Sequence, residues 1–196
     1  VEAHLHSCYQ YYLRKEEEVS STFFVSDTHF GHVNILKYEP EKRPFSSIEE
    51  HDEELIKRWN SVVKPADRVY HLGDVAINRR CLSTVARCNG RKKLIRGNHD
   101  LWSLKDYLPY FDDILSMRFF ANLFIASHFP IHPSHMRVKF NIHGHLHSNK
   151  VQMVHPYKKH ETIDDPRYMN VSVEHTNLTP VSIDDVLKEL KEREME

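Results

Sequence analysis

Five short apolar runs, each broken at its C-terminal end by a polar cluster, constrain the fold more than any other feature of the sequence. Thr22-Phe23-Phe24-Val25-Ser26 leads into Asp27-Thr28-His29-Phe30-Gly31-His32. Arg68 to Leu72 leads into Gly73-Asp74, and Lys92 to Arg96 leads into Gly97-Asn98-His99-Asp100. Leu123 to Ser127 ends at His128, and Val138 to Ile142 is followed by Gly144-His145-Leu146-His147. Short runs of this composition predict strands. In layered α/β folds sites form at the carboxyl ends of strands, so the five loops are expected to converge. Together they offer carboxylate oxygen, amide oxygen and imidazole nitrogen, a mixture suited to hard-to-borderline divalent ions.

The rest of the chain supplies covering layers. Ser47 with Glu50 fits a capping box, and Ile48, His51, Leu55, Ile56 and Trp59 form the apolar stripe of a helix ending near Val63, before Pro65. A second helix is expected over Asn78 to Asn89, stopped by Gly90. Further strands are expected at Ile114 to Phe120, Val151 to Val154 and Tyr168 to Val173. A last helix is expected from Ile183 to Glu194, with Ser182 as its N-cap. So many strands between so few helices predict an α/β domain with two stacked sheets. Residues 1–21 carry no clear period and read as an appendage of unknown role, with the domain over residues 22–196.

Composition excludes several classes. The 196 residues carry a net charge of −1, so no global basic field attracts nucleic acid or an anionic membrane. The basic groups Arg79-Arg80, Arg91-Lys92-Lys93 and Lys158-Lys159 lie far apart and read as solvated faces. No apolar run reaches the roughly 18 residues a membrane span requires. The polar N-terminal stretch lacks the apolar centre of a secretory signal. Three cysteines without a CxxC pair read as reduced thiols, with Cys81 and Cys88 sharing a helix face. The expected location is cytoplasmic. Sixteen histidines are the one oddity, and their positions matter more than their number.

Asp27-x-His29, Gly73-Asp74, Gly97-Asn98-His99-Asp100, Ser127-His128 and Gly144-His145-x-His147 resemble, in that order, the blocks of the calcineurin-like metallophosphoesterase family. The resemblance spans about Thr22 to Ile183 with all five blocks intact. It implies a sandwich of two mixed β-sheets flanked by α-helices. It implies one metal held by Asp27, His29 and His147, another by Asn98, His128 and His145, and Asp74 bridging them. Two cations roughly 3.5–4 Å apart lower the pKa of water toward neutrality and offset charge on phosphate during in-line attack. His99, beside a ligand but free to reach substrate, is the expected general acid, with Asp100 as its orienting partner. His32 and Arg43 are candidates for touching substrate. His71 is read either as a hydrogen-bond partner of the ligands or as plain packing. His132, His135 and His143 are near the blocks without an assigned role.

The second block continues Val75-Ala76-Ile77-Asn78, not with the Asp-Arg-Gly run of the family's Ser/Thr protein phosphatases. The chain thus resembles compact bacterial or phage-type members. The leading expectation is a phosphodiesterase that hydrolyses a small nucleotide or nucleic-acid-like diester by metal-activated hydroxide. A phosphomonoesterase or nucleotide pyrophosphatase, and a non-catalytic metal-binding scaffold, are the alternatives. The expected cofactors are two divalent metal ions, Mn in vitro, with Fe, Zn, Ni or Co also suiting the donors. The expected partner is a small phosphoester substrate. Nucleic acid is left open as a partner though the net charge does not support it, no membrane partner is expected, and the oligomeric state is left open.

Overall fold

A computed structural model of the protein describes residues 20–195; the appendage read at residues 1–21 lies outside them apart from Ser20 and Ser21. In chain order the elements are β1 (Thr22–Val25), α1 (Ile35–Tyr38), α2 (Ile48–Val62), β2 (Arg68–His71), a 3-10 helix (Arg79–Arg87), β3 (Arg91–Ile95) and α3 (Leu104–Tyr107). There follow β4 (Asp113–Leu115), β5 (Met117–Phe120), β6 (Phe124–Ser127), a 3-10 turn (Pro133–His135), β7 (Phe140–His143), β8 (Gln152–His155), β9 (Lys158–Asp164), β10 (Tyr168–Asn170), β11 (Val181–Ser182) and α4 (Ile183–Met195).

Two mixed sheets result. The first has the order β11-β1-β2-β3-β4, parallel except for β11, and the second has the order β10-β7-β6-β5, parallel except for β5. Alternation along β1 shows how they stack. Phe24 enters a core with Tyr70, Leu72 and Ile95 of the first sheet and Phe120, Phe124, Ala126, Phe140 and Ile142 of the second. Phe23 and Val25 point to the opposite face, where they meet Leu55, Ile56 and Trp59 of α2. The first sheet is therefore covered by the second sheet on one side and by α2 on the other. Val186 and Leu190 of α4 close the inter-sheet core.

The helix signals read from sequence hold at α2 and α4. Ser47 Oγ accepts from Glu50 N (3.1 Å) and Ser182 Oγ from Asp185 N (3.1 Å). The Glu50 carboxylate also accepts from Ser46 N (3.0 Å) and the Ser46 hydroxyl (2.7 Å). Three expectations need correction. Ile114 to Phe120 is two strands, because the chain leaves the first sheet after Leu115 and enters the second at Met117. The expected helix over Asn78 to Asn89 is a 3-10 helix, started by Asn78 Oδ1 accepting from Arg80 N and ended before the buried Cys88. Tyr168 to Val173 is regular only to Asn170, after which Ser172 makes a lone parallel bridge to Ser26. The β8–β9 ribbon stands apart from both sheets, and β9 is too polar to show a strand pattern.

Cys81 and Cys88 are both free thiols facing the α2 side, and burial pushes the Cys88 thiol up to about 12. No helix among the described residues is long and apolar enough to cross a membrane. Trp59 is fully buried and donates its indole N–H to Asn89 O (3.0 Å). Trp59→Ala removes the largest side chain of this layer and is expected to lower stability by about 3–5 kcal/mol. Urea unfolding of both proteins checks it, and a loss below about 1 kcal/mol would contradict the packing described.

Candidate metal centre

The polar blocks occupy one edge of the sandwich because β1, β2 and β3 run parallel, as do β6 and β7. Their C-terminal loops then open on the same side. Asp27, His29, Asp74, His145 and His147 all adopt positive φ, between 48° and 69°. Such residues cost about 1–3 kcal/mol each when they are not glycine, so the surrounding structure must impose the conformation. Gly97 shows how tight the packing is, since a Cβ there would collide with Asp74 Oδ1 and Asp74 N.

Three groups of donor atoms form among the described residues, each with its atoms within 4.8 Å of one another: Asp27, His29 and His147; Asp74, His128 and His145; and Glu39 and Glu174, which share His147 with the first. Each aspartate carboxylate is held by one oxygen. Asp27 Oδ2 accepts from His145 N (2.9 Å) and from the Ser172 hydroxyl (2.8 Å), and Asp74 Oδ1 accepts from His99 N (2.9 Å). The other oxygens, Asp27 Oδ1 and Asp74 Oδ2, are buried without any hydrogen-bond partner, as are both ring nitrogens of His29. Around Asp74 Oδ2 stand His128 Nε2 at 3.6 Å, His29 Nε2 at 3.7 Å and His99 Nε2 at 4.0 Å. These spacings are too long for hydrogen bonds, yet those of His128 and His29 match donors that share an ion at roughly 2.0–2.2 Å from each.

The histidine tautomers agree with this reading. His128 Nδ1 lies 2.7 Å from Leu72 O, which can only accept, so Nδ1 carries the proton. In the neutral ring Nε2 is then bare, and it faces Asn98 Oδ1 at 2.9 Å. Two acceptors so placed are reconciled by a shared cation. His147 Nδ1 likewise donates to Glu174 Oε1 (2.9 Å), leaving Nε2 free. Burial, with the nearby charge of Asp27, pushes the Asp74 carboxyl up to about 7. Two buried carboxylates this close favour positive charge between them. The residues present therefore fit divalent ions, which the group of Asp27, His29 and His147 and the group of Asp74, His128 and His145 could hold.

The other sequence candidates divide clearly. The His99 side chain is 47% exposed at the mouth of the site, with its ring 5.6 Å from that of His29. His32 is half-buried, its ring is 5.4 Å from that of His29, and its Nδ1 has no partner. Asp100 does not orient His99. Its Oδ2 accepts from Asp74 N and Gly97 N (both 2.8 Å) and its Oδ1 from Val75 N (3.2 Å), so it ties two ligand loops together. Arg43 cannot reach a phosphate. It is fully buried beneath the site, where its guanidinium donates to the carbonyls of Asp27 and Thr28 and to Glu174. His71 accepts from Gly73 N and contacts the Thr28 hydroxyl, so it supports the ligand loops without touching a ligand side chain; burial lowers it to about 3. His143 turns to Gly144 O, and His132 and His135 are exposed on the 3-10 turn.

Three residues were missed from sequence. Glu174 and Ser172 follow β10 without any motif, and only their buried contacts to His147 and Asp27 mark them. Phe129, 48% exposed, places its ring 4.5 Å from that of His145 and 4.9 Å from that of His128.

The pattern of the family described as Calcineurin-like phosphoesterase matches residues 21–194. An uncharacterized protein of Methanocaldococcus jannaschii, MJ1445, is 35% identical over 176 residues, covering 85% of this chain and 89% of its own length. The Gene 66 protein of Mycobacterium phage L5 is 38% identical over 87 residues, 42% of this chain and 41% of its own. The solved structure of AQ665 from Aquifex aeolicus, titled a protein of unknown function, superposes with a TM-score of 0.65 at 26% identity, covering 87% of this chain and 99% of that one. Motif order, sheet architecture and the family match over nearly the whole chain agree: the chain belongs to the calcineurin-like phosphoesterase family and is a metal-dependent phosphoester hydrolase.

Proposed function

We propose that this enzyme is a two-metal phosphodiesterase acting on a small nucleotide or nucleic-acid-like diester. The observation that carries the choice of diester is the position of the arginines. Arg43 is buried and saturated, and Arg96 is turned to the carbonyls of Asp100 and Trp102. Neither is available to a phosphate. A monoester dianion calls for added cationic contacts, whereas a diester carries a single negative charge that two metal ions can match. Half-exposed Phe129, beside His128 and His145, offers an apolar wall suited to a flat leaving group or base. A monoesterase or pyrophosphatase remains the second reading within the same chemistry.

The proposed domain runs over residues 22–196, and the proposed metals are two ions, with Mn²⁺ the one to supply first. When bound, such ions lower the pKa of water and neutralise the phosphate oxygens. The chain's own groups do the remainder. Asp27 and Asp74 present their unpaired oxygens from fixed positions, so no reorganisation is needed when charge develops. His32, whose ring lies 5.4 Å from that of His29 and whose Nδ1 is unpaired, is the proposed contact to a phosphate oxygen. His99 holds a proton on its exposed ring and passes it to the leaving oxygen as the ester bond breaks. Asp100, acting on the backbone of Asp74 and Gly97, keeps the Asp74 carboxylate in register.

Hydrolysis of an aryl phosphodiester and of its monoester, at equal concentration with Mn²⁺ and with Asp74→Asn as control, tests this reading. The diester is expected to react faster, with both activities lost in the variant; a monoester preference sinks the diesterase assignment. Chelation is expected to abolish turnover and added Mn²⁺ to restore it. His99→Ala is expected to reduce kcat by roughly 10²–10⁴-fold while Mn²⁺ binding, read by calorimetry, stays near wild type. An equal fall in metal binding would make His99 a ligand instead.

A further inference from the structure

A second buried polar network lies under the site, complete except for Glu174 Oε2, which has no hydrogen-bond partner. Arg43, in the loop between α1 and α2, sends Nε (2.9 Å) and one terminal nitrogen (2.6 Å) to a single oxygen, Glu174 Oε1. That terminal nitrogen also reaches Asp27 O at 2.6 Å, and the other reaches Thr28 O at 3.1 Å and His51 Nε2 at 3.1 Å. His51 Nδ1 meets Asp52 Oδ1 at 2.9 Å, and Asp52 Oδ2 accepts from Gly31 N at 2.9 Å. On the far side Glu174 Oε1 receives His147 Nδ1. The network thus joins the loop after β1, the first turn of α2, the segment after β10 and the loop after β7.

We propose that Arg43 and Glu174 form a buried, charge-neutral brace that positions His147 and selectively tightens the ion site made by Asp27, His29 and His147. The inference rests on the two-ion reading above. Both residues are hidden from solvent, Arg43 completely, so neither acts on substrate. The carboxylate fixes the imidazole proton on Nδ1 and aims Nε2 outward, as a carboxylate behind a ligand histidine does. The guanidinium holds that carboxylate and simultaneously grips the backbone carbonyls of Asp27 and Thr28. One planar group therefore sets the distance between two of the three donors. The side chains of the second group, Asp74, His128 and His145, make no hydrogen bond to Arg43 or Glu174; His128 is fixed instead by Leu72 O, and the group meets the braced loop only through His145 N on Asp27 Oδ2 and the 3.7 Å approach of His29 Nε2 to Asp74 Oδ2.

The asymmetry is testable with Mn²⁺ alone as probe, by calorimetric titration of the full chain after chelation and dialysis. Wild type is expected to show two sites. In Glu174→Gln one site is expected to weaken by roughly 10- to 100-fold, the usual effect of losing a partner behind a ligand, while the other is unchanged. In a His145→Ala background, which strips the second group, the remaining site is the one that the Gln substitution weakens. If Glu174→Gln does not fold, Glu174→Asp keeps the charge beside Arg43 but withdraws it by one methylene, with the same selective loss expected. Equal weakening of both sites, or unchanged affinity in a folded variant, overturns the brace. A wild type that takes a single ion sinks the two-ion reading only, and the brace then stands or falls on whether the Glu174 variants weaken that ion.

Discussion

Each central carboxylate gives one oxygen to the protein and withholds the other, and the rest of the site depends on that division. Asp27 is pinned through Oδ2 by His145 N and Ser172, and Asp74 through Oδ1 by His99 N. The remaining oxygens are buried, unpaired and ringed by imidazole nitrogens. An unpaired buried carboxylate oxygen is unfavourable by itself, and two close together are worse, as the elevation of Asp74 to about 7 through burial and the charge of Asp27 shows. Divalent cations relieve both problems. Folding therefore stores a site whose charge balance is completed only by ligand.

Holding those groups in place requires the two-sheet architecture. Parallel strands deliver their loops to one edge, and the left-handed conformations of Asp27, His29, Asp74, His145 and His147 turn the side chains inward. Strain of that kind persists only where neighbours over-determine the backbone. Here the neighbours are identifiable. Asp100 collects three backbone N–H groups from the Asp74 and Gly97 loops, and Arg43 collects two carbonyls from the Asp27 loop. Burial alone would raise Glu174, but the hydrogen bond from His147 and the charge of Arg43 hold it at about 2, which keeps the network ionised and its geometry fixed.

The candidate donors that the structure brings together, Asp27, His29 and His147 on one side and Asp74, His128 and His145 on the other, were legible because each follows a short apolar run and the residue types are those of metal ligands. The strand ends, the α2 stripe and both Ser N-caps were readable for the same reason: local pattern determines them. Misreadings arose where a role depends on what lies across the fold. Arg43 looks like a phosphate contact in a polar loop, but Glu174, distant in sequence, draws it under the site. Asp100 follows His99 directly, yet its carboxylate turns to the backbone of another loop. Glu174 and Ser172 have no signature, since burial and distant partners alone give them their roles. Ser116, where the chain changes sheets between Leu115 and Met117, sits in a run that reads as one continuous strand.

The most direct test is anomalous diffraction from crystals of the full chain equilibrated with Mn²⁺. Two peaks are predicted, one beside Asp27, His29 and His147, the other beside Asn98, His128 and His145, with Asp74 between them. A single peak, or density centred away from the unpaired oxygens of Asp27 and Asp74, would contradict the account.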